Sequence, residues 1–139
     1  MNAIYAEEIK QIIFQQQEAW NRADVSAFSR VCDASISFTN IIGKVYFGSK
    51  LFDERHAEIF ATIFKGSALS LSINRIHFPA SNIAIVDLGA ALSGYQTLPP
   101  GVKESSDGVL RTSLLQVFLR TGEGWRMVVY HNVDIKKIN

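Results

Sequence analysis

At 139 residues, 47% of them hydrophobic, the chain has the length and apolar content to build one ordinary domain around a core of its own. Its formal net charge of +1, with acids and bases intermixed, excludes a basic stripe for phosphate backbones and a polybasic segment for anionic lipid. The single cysteine, Cys32, cannot close an internal disulfide, the first residues lack the basic and apolar regions of a secretory leader, and no apolar run reaches membrane-spanning length. These features lead us to expect a soluble cytoplasmic protein, with neither nucleic acid nor membrane as partner.

In chain order, Ile4, Ile9, Ile12, Ile13, Ala19 and Trp20 recur on one face of a helix running from Ala3 to about Arg22. Asn21 to Asp24 interrupts it, and Asp24 or Ser26 caps a short second helix carrying Ala27, Phe28 and Val31 inward. Ile36 and Phe38 then alternate with polar neighbours, predicting a half-buried strand over 35–40, and Gly43 marks the turn to a short strand over 45–47. A third helix opens at Gly48-Ser49, with Ser49 as N-cap and Asp53 and Glu54 near the positive end of its dipole. Leu51, Phe52, Ile59, Phe60, Ile63 and Phe64 form its buried stripe, with His56 on it, and Lys65-Gly66 ends it.

After Gly66 the pattern becomes strand: Ala68 to Phe78, stopped at Pro79, then Ile83 to Tyr95. A polar loop, 97–108, precedes two apolar runs, 109–120 and 125–133, joined by Thr121-Gly-Glu-Gly124 as a hairpin. Neither run alternates cleanly, so both faces of that hairpin are expected to be covered, one by helices and the other by a second copy of the chain. This order predicts an α+β domain spanning 1–139, a curved antiparallel sheet packed on three N-terminal helices.

Several local patterns resemble the nuclear transport factor 2-like superfamily, in particular its SnoaL-like, SgcJ/EcaC-type branch. They are Trp20-Asn-Arg-Ala-Asp24, Asp33-Ala34, Gly48 ahead of His56-Ala-Glu-Ile-Phe60, Asn82-Ile-Ala-Ile-Val86, and Gly124-Trp-Arg-Met with Tyr130-His-Asn132. The resemblance implies a cystatin-like fold, a cone-shaped pocket between sheet and helices, dimerisation through the outer face of the sheet, and no fixed chemistry. Where the ketosteroid isomerases of that superfamily carry their base and oxyanion donors, a rough register puts Phe38 or Asn40, Gln16 and Leu115, so neither base nor donor pair is present. The Asp-Arg-Asp set of its epoxide hydrolases is not recognisable either.

On the same register, strand alternation turns Asp87, Gly89, Ala91 and Ser93 toward the pocket, followed by Arg111, Ser113 and Leu115, then Val128, Tyr130 and Asn132. Trp125, Met127, Val129 and His131 would face outward, and a bulge would exchange the assignments. His56, an imidazole on an apolar stripe, is the first candidate for proton transfer, although a histidine so placed is more commonly a satisfied structural one. Asp87 is the second, as a carboxylate in an apolar strand, with an ion pair to Arg75 or Arg111 as its bland alternative. Arg111 offers a fork for an anionic group, and Trp20, Ser113, Tyr130 and Asn132 offer a wall and polar handles. Metal-ligand spacing, a nucleophile elbow and a phosphate loop are all missing from the sequence, so neither metal nor cofactor is expected. The sequence thus points to a dimeric small-molecule-binding protein for a modest apolar or aromatic ligand with a polar or acidic group. Cofactor-independent isomerase, cyclase or dehydratase chemistry would be its enzymatic form; the alternative is a non-catalytic association module built on the outer face of the sheet.

Overall fold

The computed structural model describes residues 2–136. Its elements are α1 (Asn2–Asn21), α2 (Val25–Ser29), β1 (Cys32–Thr39), β2 (Val45–Phe47), α3 (Ser49–Ala61), β3 (Ala68–Ala80), β4 (Ile83–Ser93), β5 (Leu110–Thr121) and β6 (Gly124–Asp134). No described helix is long and apolar enough to cross a membrane.

Helix α1 buries Ile9, Ile13, Gln16, Ala19 and Trp20, a stripe at helical spacing that includes one polar residue. Its C-terminus closes with Ala23 N–H on the Trp20 carbonyl and Asp24 N–H on the Ala19 carbonyl, both at 2.9 Å. That double closure requires a left-handed residue, and Ala23 takes it at φ 55° where glycine is the usual occupant. Asp24 then turns from the end of one helix to the start of the next: its carboxylate accepts from Ala27 N–H at 3.0 Å and caps α2.

Gly48, at φ 99°, is the N-cap of α3, so Ser49 is the first helical residue and not the cap that the sequence suggested. The buried stripe is Phe52, His56 and Phe60, spaced by four, while Leu51 lies exposed. The helix ends at Ala61, earlier than Lys65-Gly66; a non-helical turn over 62–66 carries the buried Phe64 back under Trp20.

The six strands form one open sheet in the order β2-β1-β6-β5-β4-β3. Every pairing is antiparallel except β1 with β6, so the sheet is mixed rather than wholly antiparallel as expected. The parallel pair arises because the last strand returns beside the first after the chain has crossed to the far edge and come back. Edge strand β3 holds Pro79 near its end, within an irregular stretch of the β4 pairing where a missing N–H is tolerated.

The outer rim of β3 is shielded near its start by α1. Asn21 both donates to the Leu69 carbonyl, at 3.1 Å, and accepts from Leu69 N–H, at 2.7 Å, and Gln17 accepts from Leu71 N–H at 2.8 Å. Amide side chains thereby occupy groups that would otherwise offer a template to another strand.

The helices cover one face of the sheet, and parity decides which residues meet them. Along β4 the even positions Ala84, Val86, Leu88, Ala90 and Leu92 are buried, and Asp87 and Ser93 are exposed. This is the reverse of the parity expected from the sequence, because the larger apolar set, with Val86, Leu88 and Leu92, is the one driven under the helices. The β4–β5 register is unbroken, so β5 inherits the same parity: Leu110, Thr112, Leu114, Gln116 and Phe118 point in, while Arg111, Ser113 and Leu115 point out.

Strand β6 carries a bulge. Val117 pairs with Val129 but Phe118 pairs with Met127, leaving Val128 as the extra residue. Odd positions Trp125 and Met127 therefore point in before the bulge, and even positions Tyr130 and Asn132 point in after it. Trp125 and Met127, expected outside, are core residues, with Trp125 packed edge-on to Tyr5 at 5.5 Å.

Candidate functional site

The sheet and α3 do not close completely on each other. A cavity of about 80 Å³ remains, and its lining divides by strand. On the β1–β6–β5 side stand Asn40, Tyr130, Asn132 and Thr112; on the β4–β3 side stand Ala90, Leu92, Leu69 and Leu71. Trp20 of α1, His56 and Ile59 of α3, and Phe64 of the turn that follows α3 close it from the other side. Phe38, Asn40, Ile41, Ile59 and Phe64 are shared with an outer vestibule of about 480 Å³, bounded by Arg55, Glu58 and the loop residues Thr97, Leu98, Pro99 and Pro100.

His56 is 2% exposed and sits inside an aromatic box. Its ring centroid lies 4.2 Å from that of Phe52, 4.9 Å from Phe28, 5.1 Å from Phe38, 6.0 Å from Tyr130, and 6.2 Å from both Trp20 and Phe60. Its Nδ1 is 2.7 Å from the Phe52 carbonyl oxygen. A carbonyl only accepts, so Nδ1 carries the proton and donates, and Nε2 of the neutral ring keeps its lone pair. Burial lowers the imidazole pKa to about 4, outweighing the Phe52 carbonyl, which favours the protonated ring. At neutral pH the ring is uncharged.

Tyr130 is buried beside it, and burial also pushes the phenol upward, so it remains protonated. Trp20 supplies a wall rather than a handle: its indole N–H donates to Ser67 Oγ at 2.9 Å, and Ser67 in turn donates to the Phe64 carbonyl at 2.7 Å. Asn40 spends its Oδ1 on the β1–β2 turn, accepting from Ile42 N–H and Lys44 N–H at 3.1 and 3.0 Å. Asn132 differs from these. Its Oδ1 is buried and has no hydrogen-bond partner, a state that costs about 1–3 kcal/mol in a folded protein.

The structure thus brings four of the expected site residues to one cavity: Trp20, His56, Tyr130 and Asn132. It does not bring Asp87, Arg111 or Ser113 there, because all three lie exposed on the opposite face. Asp87 stands in register with Arg75 on β3. Arg111 forks onto Asp107 in the preceding loop, at 2.8 and 3.2 Å, and that pairing holds the Asp107 carboxyl below the usual carboxylate range. The imidazole predicted for the cavity is present, and the guanidinium is not. Sequence reasoning missed Asn40 and Thr112, which the inverted parity of β5 and the polar end of β1 had hidden. Among the described residues no group of His, Cys, Asp and Glu is placed to hold a metal ion.

The sequence matches no family model and no curated protein. Solved structures do share its architecture. A nuclear transport factor 2-like superfamily protein from Salmonella enterica is 19% identical and superposes with a TM-score of 0.82, over 100% of this chain and 96% of that one. A domain of unknown function with a cystatin-like fold from Nostoc punctiforme is 22% identical, with a TM-score of 0.80 over 96% of this chain and 78% of that one. A protein from Novosphingobium aromaticivorans described as a candidate scytalone dehydratase is 15% identical, with a TM-score of 0.79 over 97% and 87%. At these identities the likeness defines the fold: the chain has the nuclear transport factor 2-like, or cystatin-like, fold.

Proposed function

We propose that this protein is a small-molecule-binding protein of the SnoaL-like kind, acting in the cytoplasm as a homodimer, with the cavity between α3 and the sheet as its site. The observation that carries the reading is the unpartnered Asn132 Oδ1 on the wall of a largely aromatic and aliphatic cavity. A buried acceptor without a partner is a standing cost that a bound donor removes.

The geometry favours binding over turnover. His56 and Tyr130 are the only titratable groups on the cavity wall among the described residues. A base whose conjugate acid lies near pH 4 takes up a proton poorly at neutral pH, and a phenol held above its ordinary range is a weak acid. Acid/base turnover would need a ligand that shifts both.

The dimer reading has its own support. No described helix lies over the outer face of the sheet, and Ile85, Val117 and Val129 lie side by side across β4, β5 and β6 there, flanked by Leu115 and the exposed Val133 and Phe47. An apolar row of this kind on a sheet face is characteristic of a self-complementary interface. A thermal-shift screen with one-ring compounds of each charge class tests the cavity, and sedimentation velocity tests the dimer. Stabilisation by at least one compound class is expected; a flat response across the screen would remove the binding assignment and leave the association reading.

A further inference from the structure

We infer that the cavity selects an uncharged ligand carrying a single hydroxyl on an apolar body, and rejects carboxylates. This rests on the binding reading above and adds the chemical class.

The first ground is charge. Among the described residues no Asp, Glu, Lys or Arg lines the inner cavity, and the ionisable imidazole on its wall is held neutral with its proton fixed on Nδ1. Arg55, which lines the vestibule, is engaged with Glu58 at 2.6 Å. An ionised carboxylate placed inside would lose its hydration and meet no counter-charge, which is the costliest form of polar burial. Arg111, the one guanidinium expected to receive an acid, is on the far face of the sheet.

The second ground is the sidedness of the wall. Sheet order sets Asn40 of the β1 end, Tyr130 and Asn132 of β6, and Thr112 of β5 next to one another, with His56 packed against Phe38 and Tyr130 on the same side. The continuation of that wall through Leu110, Ala90, Leu92, Leu69 and Leu71 is aliphatic. A ligand in this cavity therefore meets hydrogen-bonding groups along one edge and hydrocarbon along the other. The polar edge offers both acceptors, His56 Nε2 and the amide oxygen of Asn132, and hydroxyls that donate as well as accept. A ligand hydroxyl, which does both, matches this set.

The third ground is size. The inner space of about 80 Å³ is smaller than the ~150 Å³ that holds a benzene ring in an engineered cavity. A hydroxylated ring therefore seats its polar end inside and lets its apolar end run past Ile41, Ile59 and Phe64 into the vestibule.

The test is a calorimetric or NMR titration of the full chain at pH 7.5 with three matched probes. These are 4-ethylphenol, its methyl ether 4-ethylanisole, and the anion 4-ethylbenzoate. The phenol, with a pKa near 10 like that of tyrosine, is neutral there. It is expected to bind roughly threefold to tenfold tighter than the ether, the range of one neutral hydrogen bond, and the benzoate is expected not to bind. In Asn132→Leu and Thr112→Val variants the ratio of phenol to ether affinity should fall toward one, a change that a merely structural role for these side chains would not produce. Equal binding of phenol and ether, or binding of the benzoate, overturns the inference and leaves the binding reading intact. Failure of all three to bind overturns both.

Discussion

Gln16 of α1 and Gln116 of β5 exchange both of their amide hydrogen bonds across the core, each Nε2 donating to the other's Oε1, at 2.9 and 2.8 Å. Both side chains are buried, and each satisfies the other. Removing one strands its partner. Gln116→Leu is expected to cost about 1–3 kcal/mol, and Gln16→Leu with Gln116→Leu to recover much of that loss, because replacing both members of a buried pair by apolar groups is far cheaper than replacing one. Urea denaturation of the two single variants and the double decides it; a double variant as unstable as the sum of the singles would show that the pair is not the unit.

The neutral imidazole makes stability depend on pH. The folded pKa of His56 is lowered from 6.5 to about 4, so between those values the unfolded chain binds more protons and stability rises with pH. The contribution is full above the unfolded value and is lost as pH falls toward the folded one, on the order of 3 kcal/mol across the window. A His56→Gln variant should melt with a flatter dependence between pH 7 and pH 4. Parallel curves for variant and wild type would mean that another group sets the slope.

Ala23 occupies a left-handed position at the exposed C-terminus of α1. For a residue with a β-carbon that conformation costs about 1–2 kcal/mol, part of which glycine returns as chain entropy in the unfolded state. Ala23→Gly is therefore expected to raise stability by about 0.5–1 kcal/mol, read as a higher denaturation midpoint with an unchanged slope. A lower midpoint would contradict the helix-end geometry described above.

Sheet parity made the fold easier to read than the site. The amphipathic stripe of α1, the Asp24 cap, the turn at Gly43 and the Thr121–Gly124 hairpin all follow from local rules, because helix period and turn residues act within a few positions. The inward face of β4 does not. Its two sets differ by a single step of register, and only the covering helices decide between them. Asp87, Arg111 and Ser113 were misplaced together for that one reason. Tyr130 and Asn132 reached the cavity through the bulge at Val128, which also drew Trp125 and Met127 inside. The Gln16–Gln116 pair links positions 100 residues apart in sequence and left no local sign.

The proposed interface gives a further measurement. Val117 and Val129 are cross-strand partners on the outer face and both half-buried in the isolated chain. Val129→Lys should convert a dimer into a monomer in sedimentation velocity while leaving the 4-ethylphenol affinity unchanged, since the residue faces away from the cavity. A wild-type chain that sediments as a monomer at tens of micromolar removes the dimer proposal without touching the site.

Helix α1 is fastened to the sheet at consecutive turns, by Gln16 to β5 and by Gln17 and Asn21 to the rim of β3. That side of the molecule behaves as a fixed jaw. On the binding proposal, the opposite jaw is the 95–104 segment, which is tied to the rest of the described fold by the Gln96 and Thr97 N–H groups on the Ile63 carbonyl, the Gln96 amide on the Lys65 carbonyl and Lys136 on the Gly101 carbonyl. If the cavity binds as proposed, changes in that segment are expected to alter how fast a guest comes and goes more than how tightly it is held.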